Sequence, residues 1–221
     1  MPTLFQDRVD AGQHLAALLL QRAPWHDAWD DALVLGLPRG GVPVAHAIAR
    51  ALGCPLDVFL VRKLGVPGRE ELAFGAIASG GTRILNDAII QSLHITPDTI
   101  AAVTAAQEQL LRQRERAYRD ARPPAAVAGR TVIVVDDGMA TGATMLAAIA
   151  ALRAPAPARL VAAVPVAAPA TCQEVAARVD QMVCAATPDP FVAVGLWYEQ
   201  FGETSDDEIR RLLNPGQEAG V

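Results

Sequence analysis

Cysteine is scarce in this 221-residue chain, and its scarcity excludes the structures that depend on it. Cys54, Cys172 and Cys184 are odd in number, far apart and without any CxxC spacing. They predict neither a disulfide framework nor a zinc site, and they favour a reducing compartment. Long apolar runs are missing too, because the longest, residues 160–170, contains two prolines and is too short to span a bilayer.

Basic residues are outnumbered, with 19 Lys and Arg against 24 Asp and Glu and a net charge of −5. Surfaces that bind nucleic acid are usually basic, so this balance argues against a broad nucleic-acid interface while allowing a local cationic pocket. The opening sequence MPTLFQDRVDAGQ carries early charges and no apolar signal core. We therefore predict a soluble, cytoplasmic protein with neither nucleic acid nor membrane as a partner.

Apolar patterning predicts an α/β fold in which strands and helices alternate. The strongest strand, residues 131–135, is continuous and β-branched, as expected of a strand buried on both faces. Alternation implies a mostly parallel central sheet flanked by helices, with ligands beyond the carboxyl ends of its strands. We expect one domain over residues 1–221, with a core at about 30–187 and the two chain ends forming a small variable hood or clasp. The other predicted helices cover 8–22, 42–52, 96–120 and 171–179, and an Ala-rich helix follows the turn after residue 137 and ends at about 153. The other predicted strands cover 31–37, 57–61, 160–166 and 182–185, with a hairpin over 75–85 and a charged loop over 62–72.

Two adjacent acids, Asp136 and Asp137, follow the 131–135 strand and precede a turn of small residues and a helix start. Main-chain N–H groups of such a turn favour an anion, and Gly138 and Gly142 would let the main chain approach a phosphate closely. Two carboxylates would repel a bare phosphate, but they can hold hydroxyl groups, a metal ion or both. A phosphorylated sugar offers that combination; the alternative is that the acids merely cap the helix and the glycines merely pack.

The stretch VIVVDDGMATGAT, residues 132–144, resembles the motif with which type I phosphoribosyltransferases bind 5-phosphoribosyl 1-pyrophosphate (PRPP). It is neither a Walker A loop nor a GxGxxG dinucleotide turn. The resemblance implies a type I, Rossmann-like fold, with Asp136 and Asp137 holding the ribose hydroxyls directly or through Mg²⁺. The residues that would cradle the 5′-phosphate are Gly138, Met139, Ala140, Thr141, Gly142, Ala143 and Thr144.

The segment LPRGGVPVA, residues 37–45, is similar to the loop with which the same family binds pyrophosphate. Arg39 would add positive charge there, and Gly40 and Gly41 would present main-chain amides. Taken alone, Arg-Gly-Gly would more often be an ordinary turn.

The segment VRKLGVPGREELAFG, residues 61–75, resembles the family's mobile loop, which shields the reaction from water. Arg62 and Lys63 would neutralise the leaving pyrophosphate. An ordinary solvated loop is the alternative, above all for its acidic half.

The resemblance implies Mg²⁺-dependent transfer of a 5-phosphoribosyl group from PRPP to a nitrogen nucleophile, a nucleobase or amine, with release of pyrophosphate. Lys63, Arg62 and Asp137 are the expected catalytic residues. Members that act on 6-oxopurines carry an Asp base in the middle of the PRPP loop, and the matching residue here is Ala140, which makes hypoxanthine and guanine less favoured acceptors. A homodimer is one assembly that the resemblance allows.

The acceptor would lie under the hood, where the family often stacks it on an aromatic ring. Phe191 is the first candidate, followed by Trp197 and Tyr198; the alternative is an apolar clasp that closes the core. The arginine-rich stretch 112–119 is predicted as a solvated helix face, with a subunit contact or a cationic wall of the site as alternatives.

Two other functions remain open at this point. A PRPP-binding regulator would sense the metabolite without turnover, and a water-excluding lid with Lys63 distinguishes the two because it matters only for chemistry. A metal-dependent phosphohydrolase with Asp136 as nucleophile would need further acidic and basic partners, and residues 160–170 and 182–186 offer none.

Overall fold

A computed structural model describes residues 3–22, 29–119 and 122–214 of the chain. None of the helices in these ranges is long and apolar enough to cross a membrane. The helices are α1 (Arg8–Arg22), α2 (Gly41–Leu52), α3 (Asp87–Ser92), α4 (Pro97–Arg119), α5 (Ala143–Arg153), α6 (Pro169–Ala176) and α7 (Asp206–Leu213). The strands are β1 (Ala32–Gly36), β2 (Leu56–Val58), β3 (Val61–Val66), β4 (Arg69–Ala78), β5 (Arg83–Leu85), β6 (Thr131–Val135), β7 (Arg159–Val166) and β8 (Gln181–Ala186).

The central sheet is parallel and has five strands in the order β2-β1-β6-β7-β8. This confirms the predicted α/β fold with a parallel sheet. The strand order reverses between β1 and β6, and in open α/β sheets a ligand crevice opens at such a switch point. Gly36 and Val135, the last residues of β1 and β6, are register partners. The two loops that resemble ligand-binding motifs therefore begin side by side.

The two faces of this sheet are covered by different helices, because successive residues of a strand point to opposite faces. In β6, Val132 and Val134 pack in the cluster that contains the apolar residues of α5, whereas Ile133 and Val135 pack in the cluster of α1 and α2. Every residue of β6 is buried, as predicted for this strand. The strand that carries the two acids is thus held rigidly between two apolar layers.

The charged segment after β2 is a β-hairpin, which corrects the loop predicted over 62–72. Strand β3 pairs antiparallel with β4 across a turn at Pro67 and Gly68, where Gly68 has a φ of +76°. Strand β5 extends this second sheet, confirming the predicted hairpin over 75–85. Glycine, proline and charged residues are poor strand formers, but pairing of the two main chains overrides that local preference. Val61 accordingly opens β3, and the strand predicted over 57–61 stops at Val58.

Helix α4 agrees with the predicted long helix at its start. The Thr96 hydroxyl accepts a hydrogen bond from the N–H of Thr99, as a helix cap does. The helix is described as far as Arg119, and Asp120, its predicted end, lies outside the described residues. Helix α6 begins two residues earlier than predicted, because Pro169 is well suited to a first helical turn.

Two helices are absent from the sequence prediction, α3 and α7. The Asn86 side chain caps α3, and Ser205 caps α7 by accepting from the N–H of Glu208. The order Ser205-Asp-Asp-Glu208 has the spacing of a capping box, and that signal could have revealed α7. Helix α7 packs against α2 and α4 and brings the tail, residues 188–214, back beside the switch point.

Candidate active site

The Arg-Gly-Gly loop, residues 37–41, is pressed against the end of β6. The N–H of Leu37 donates to the carbonyl of Val135 at 2.8 Å. A Cβ at Gly41 would lie 2.6 Å from that same carbonyl oxygen, and a Cβ at Gly40 would overlap the carboxylate of Asp137. Only glycine fits at both positions, because the loop lies so close to the end of β6 and to Asp137. The two glycines thereby bring this loop into contact with the two acids.

The amides of this loop divide into free and engaged groups. The N–H groups of Arg39 and Gly40 have no partner within the described ranges, whereas Gly41 donates to the carbonyl of Leu37 at 3.0 Å. Gly41 therefore closes the turn, which corrects the expectation that its amide faces pyrophosphate. Two outward amides remain for an anion.

The side chain of Arg39 is already paired. Its guanidinium forms an ion pair with Glu203 of the tail. Arg39 and Glu203 line a surface depression of about 290 Å³ together with Asp206 and Asp207. The charge of Arg39 is thus compensated by the Glu203 carboxylate on the outer side of the loop. This is contrary to the expectation that Arg39 adds positive charge at the pyrophosphate.

The acidic dyad, Asp136 and Asp137, lies at the carboxyl end of β6, and its two members differ in surroundings. Asp136 has no ion-pair partner among the residues described, and its Oδ1 accepts from the N–H of Asp137 at 2.9 Å. Burial of its carboxylate, reinforced by the negative charge of Asp137, raises the pKa of Asp136 well above its ordinary value of 3.8. Asp136 is the member of the dyad that a ligand or cation would have to satisfy.

Asp137 is held by α1 and by the tail. The Nε of Arg8 donates to Asp137 Oδ2 at 2.8 Å, with only 13% and 15% of the two side chains exposed. The same guanidinium donates to the carbonyl of Gly202 at 2.7 Å and lies 4.0 Å from the ring centre of Phe201. The Tyr198 hydroxyl donates to the main-chain carbonyl of Asp137 at 2.6 Å. No local motif marks Arg8, so sequence analysis missed it.

The turn after the dyad ends in a cluster of free amides. The N–H groups of residues 140–144 have no hydrogen-bond partner in the described part of the chain. Gly142 has a φ of +67°, and a Cβ there would lie 2.6 Å from Cγ2 of Thr171. The Thr171 hydroxyl donates to the carbonyl of Ala140 at 2.6 Å and fixes the turn. Free amides at the start of α5, an 11-residue helix, form an anion cradle.

Met139 does not belong to this cradle, although the resemblance placed it there. Its side chain is buried, its N–H donates to Val166 at 2.9 Å, and its carbonyl accepts from Ala168 at 3.0 Å. An amide used in this way cannot donate to a phosphate. Met139 instead anchors the turn to the end of β7.

Two of the three predicted stacking residues are buried. Trp197 and Tyr198 pack with Phe5 and Val166 in one apolar cluster, as the clasp alternative anticipated. This corrects the expectation that their rings are open to an acceptor, and burial raises the pKa of Tyr198 far above its ordinary value. Phe191 is half-buried, with its ring centre 6.5 Å from that of Trp197, so part of its ring is open.

The hood lies directly against the turn of the dyad. A Cβ at Gly138 would lie 2.5 Å from Cγ1 of Val194, so glycine is needed for the two segments to meet. The short helical turn Val194–Trp197 thereby covers the main chain next to Asp137. The hood therefore packs on the turn that carries the dyad.

A small cleft of about 40 Å³ opens between the Arg-Gly-Gly loop and the start of α5; we call it the arginine cleft. It is lined by Leu37, Pro38, Phe59, Leu60, Val61, Arg62, Arg114 and Thr144. The Nε of Arg62 donates to Gln107 Oε1 at 2.7 Å, and burial together with the charge of Arg114 lowers the pKa of Arg62. Arg62 thus lines this cleft together with Arg114, which α4 carries.

The β3–β4 hairpin and α4 enclose a larger groove of about 540 Å³. It shares Val61 and Arg62 with the arginine cleft and also contains Lys63, Glu70 and Gln107. Lys63 is exposed and has no ion-pair partner within the described ranges. The structure therefore places Lys63 beside the cleft and not inside it.

The donor set of the dyad suits a hard cation that a substrate shares. Within residues 3–22, 29–119 and 122–214, no three His, Cys, Asp or Glu side chains converge as a metal cluster. Asp136 forms no ion pair with any residue in these ranges, and Asp137 is paired through Oδ2 with Arg8. Mg²⁺ prefers carboxylate oxygens and is usually bound by one or two carboxylates together with substrate phosphates. The residues present therefore fit Mg²⁺ brought with a phosphorylated ligand.

Comparison with known proteins gives the family of this chain. The sequence profile described as phosphoribosyl transferase domain matches residues 5–197. The chain belongs to the phosphoribosyl transferase domain family. The match includes the Arg-Gly-Gly loop, the hairpin, the dyad with the turn that follows it, and the first part of the tail as far as Trp197.

Individual relatives agree with that membership. The chain is 44% identical over 211 residues to two proteins of Mycobacterium tuberculosis, strains CDC 1551 and H37Rv, each provisionally named a phosphoribosyl transferase. The match covers 96% of this chain and 46% of each relative, so the chain spans about half the length of the curated relatives it matches. TT1426 from Thermus thermophilus, known from a crystal structure, is 43% identical to this chain, with a TM-score of 0.83. The match covers 95% of this chain and 97% of TT1426. AQ2163 from Aquifex aeolicus shares the fold alone. It is 11% identical, with a TM-score of 0.51, and the match covers 93% of this chain and 84% of AQ2163.

Proposed function

We propose that this protein transfers a 5-phosphoribosyl group from PRPP to a nitrogen nucleophile and releases pyrophosphate, with Mg²⁺ as cofactor. The observation that carries the proposal is one juxtaposition at the switch point of the sheet. The acidic dyad, suited to hydroxyl groups or a cation, lies next to a turn whose amides from 140 to 144 are free within the described chain. A sugar with a phosphate at one end and vicinal hydroxyls at the other matches both halves of this site.

In this reaction the bond between ribose C1 and the pyrophosphate oxygen breaks, and pyrophosphate leaves with the electron pair. The bond from C1 to the acceptor nitrogen forms, and that nitrogen gives up its proton to the released pyrophosphate or to solvent water. The protein's task is to position the partners, to stabilise the departing charge and to exclude water. The amides of residues 140–144 would hold the 5′-phosphate, and those of Arg39 and Gly40 the pyrophosphate.

The dyad would hold the ribose hydroxyls. Asp136 and Asp137 would also hold Mg²⁺, which when bound would supply positive charge to the substrate's oxygens. Arg62, at the cleft, and Lys63, on the adjoining hairpin, would stabilise the leaving pyrophosphate. The hairpin would exclude water in the role that the resemblance gave to a loop.

The acceptor would be a nitrogen base or amine bound beside the open part of the Phe191 ring. Ala140, at the middle of the turn, offers no group that could take a proton from the acceptor. An acceptor that needs a carboxylate base in this turn, as the 6-oxopurines do in the family, is therefore disfavoured. Stacking on one aromatic ring would contribute about 1–3 kcal/mol.

The test is calorimetric titration with PRPP in the presence of Mg²⁺. The wild-type chain should bind, and Asp136→Asn should weaken binding at least tenfold, about 1.4 kcal/mol. Glu174→Gln is the control, because Glu174 lies in an exposed ion pair on α6. Absence of binding by the wild-type chain, or equal binding by Asp136→Asn, would overturn the proposal.

Turnover is tested by pyrophosphate release with a panel of nucleobases and amines. Release with at least one acceptor is expected, and it should depend on Asp136. PRPP binding without release from any acceptor would instead indicate a regulator that senses PRPP.

A further inference from the structure

Eight of the described arginines are paired with carboxylates, whereas two without such a pair line one cleft together. Ion pairs engage Arg8, Arg39, Arg112, Arg119, Arg130, Arg153, Arg178 and Arg210. Arg62 and Arg114 form no ion pair within the described residues, although both line the arginine cleft. Among the residues described, the lining of that cleft contains no acidic side chain.

The two guanidinium groups are close enough to repel each other. The charge of Arg114 adds to partial burial in lowering the pKa of Arg62. The one polar partner of Arg62 in the described chain is the neutral amide of Gln107, which compensates no charge. Two like charges at a cleft without an acid disfavour the empty state, and an anion placed between them converts that repulsion into attraction.

The walls of the cleft indicate which anion this is. Leu37 and Pro38 begin the Arg-Gly-Gly loop, whose free amides belong to Arg39 and Gly40, and Thr144 lies at the end of the phosphate cradle. The Arg39 guanidinium is paired with Glu203 at the surface and does not line the cleft. The positive charges that stabilise a departing pyrophosphate at this loop therefore have to come from other residues.

We propose that Arg114, which α4 carries to the cleft, binds the pyrophosphate group together with Arg62, in place of the Arg39 side chain. The inference rests on the proposed function, because it assumes that pyrophosphate occupies the loop next to the cleft. Guanidinium groups suit this task, since each can donate two parallel hydrogen bonds to phosphate oxygens. No sequence motif includes Arg114; the packing of α4 against β3 and β4 brings it there.

The test uses inorganic pyrophosphate as its probe, titrated into the full chain with Mg²⁺ present. Arg114→Gln should weaken pyrophosphate binding at least tenfold, and Arg114→Lys should recover only part of the loss because Lys lacks the planar fork. Arg116→Gln is the matched control, because it makes the same charge change on an exposed residue of α4 that does not line the cleft. Its affinity should stay within about twofold of wild type, as expected of a surface charge.

Ribose 5-phosphate, which lacks pyrophosphate, is the second probe. Its affinity should not change in Arg114→Gln if the arginine acts on the pyrophosphate end. Equal loss for both probes, or equal pyrophosphate binding by Arg114→Gln and Arg116→Gln, would overturn the assignment.

The assignment and the proposed function fail in different ways. If the chain binds pyrophosphate through Arg114 but does not bind PRPP, the Arg114 anion site stands and the proposed transferase function is wrong. If the Arg114→Gln variant binds PRPP normally, the proposed function stands and Arg114 has no part in it. Absence of pyrophosphate binding in the wild-type chain would overturn the Arg114 assignment.

Discussion

The Nε of Arg8 lies 2.8 Å from Asp137 Oδ2, joining the N-terminal helix to an acid 129 residues later in the chain. The pair neutralises one of two adjacent negative charges, so an anionic ligand meets a less repulsive dyad. Because Arg8 also contacts Gly202 and Phe201, it connects the dyad to the tail that forms the hood. One largely buried side chain therefore links the stability of the fold to the charge of the site.

Replacing Arg8 should destabilise the fold. In Arg8→Gln a nearly buried carboxylate loses its cation, and we expect the free energy of unfolding to fall by about 1–3 kcal/mol. Urea unfolding measures this change. Arg178→Gln breaks the exposed pair between Arg178 and Glu174 of α6 and should cost at most about 1 kcal/mol. If both variants lost the same small amount, Arg8 would be no more than a surface residue.

Adding a methyl group at Gly40 should disturb the dyad. The Cβ of Gly40→Ala would overlap the Asp137 carboxylate, so either the loop or the acid has to move. We expect PRPP affinity to fall at least tenfold, about 1.4 kcal/mol, as measured by calorimetry. Gly202→Ala is the control, since nothing lies within 4 Å of its added Cβ and its carbonyl can still accept from Arg8. Unchanged PRPP affinity in Gly40→Ala would show that the contact has no role in binding.

Lys63 should matter more for turnover than for binding. If its ammonium stabilises charge that develops on leaving pyrophosphate, Lys63→Ala should lower kcat at least tenfold with a smaller change in PRPP affinity. Steady-state kinetics and calorimetry measure the two effects separately. Arg69→Ala, a charge loss at the exposed far end of the same hairpin, should change neither. Parallel losses of kcat and affinity in Lys63→Ala would indicate uniform binding of PRPP instead.

The tyrosines should not ionise at their usual pH in the folded protein. The chain has two, Tyr118 and Tyr198. Burial and a hydrogen bond to Asp206 raise the pKa of Tyr118 from 10.0 to about 12, and burial raises the pKa of Tyr198 further. Near-ultraviolet titration should therefore show no tyrosinate near pH 10 until the chain unfolds, while the urea-unfolded chain titrates there.

The sign of the pH dependence follows from the same shifts. Above pH 10 the unfolded chain releases its phenolic protons first, so stability should decrease as the pH rises from about 10 towards 12. A tyrosinate signal with a midpoint near 10 in the folded protein would contradict the burial of both side chains.

Local patterns predicted the parallel sheet and the position of the dyad well. The buried β6 strand, the α1 bounds and the strand–turn–helix around Asp136 each depend on residues close in sequence, whose periodicity and turn chemistry are legible. The segment 62–72 was predicted as a loop but is a hairpin, because antiparallel pairing between β3 and β4 overrides weak strand propensity. The stacking role of Trp197 and Tyr198 was wrong because aromatic residues do not reveal from sequence whether they face a ligand or the core.

Consecutive residues were enough to specify the acids at the end of a buried strand and the small-residue turn that follows them. Which charges are free at that site, by contrast, depends on the folded arrangement. Arg8 pairs with Asp137 and Arg39 with Glu203 across 129 and 164 residues, whereas Arg62 and Arg114 meet at the cleft without an acid among its described lining. Pairing over such separations depends on how helices pack on the sheet, and no spacing along the chain encodes it.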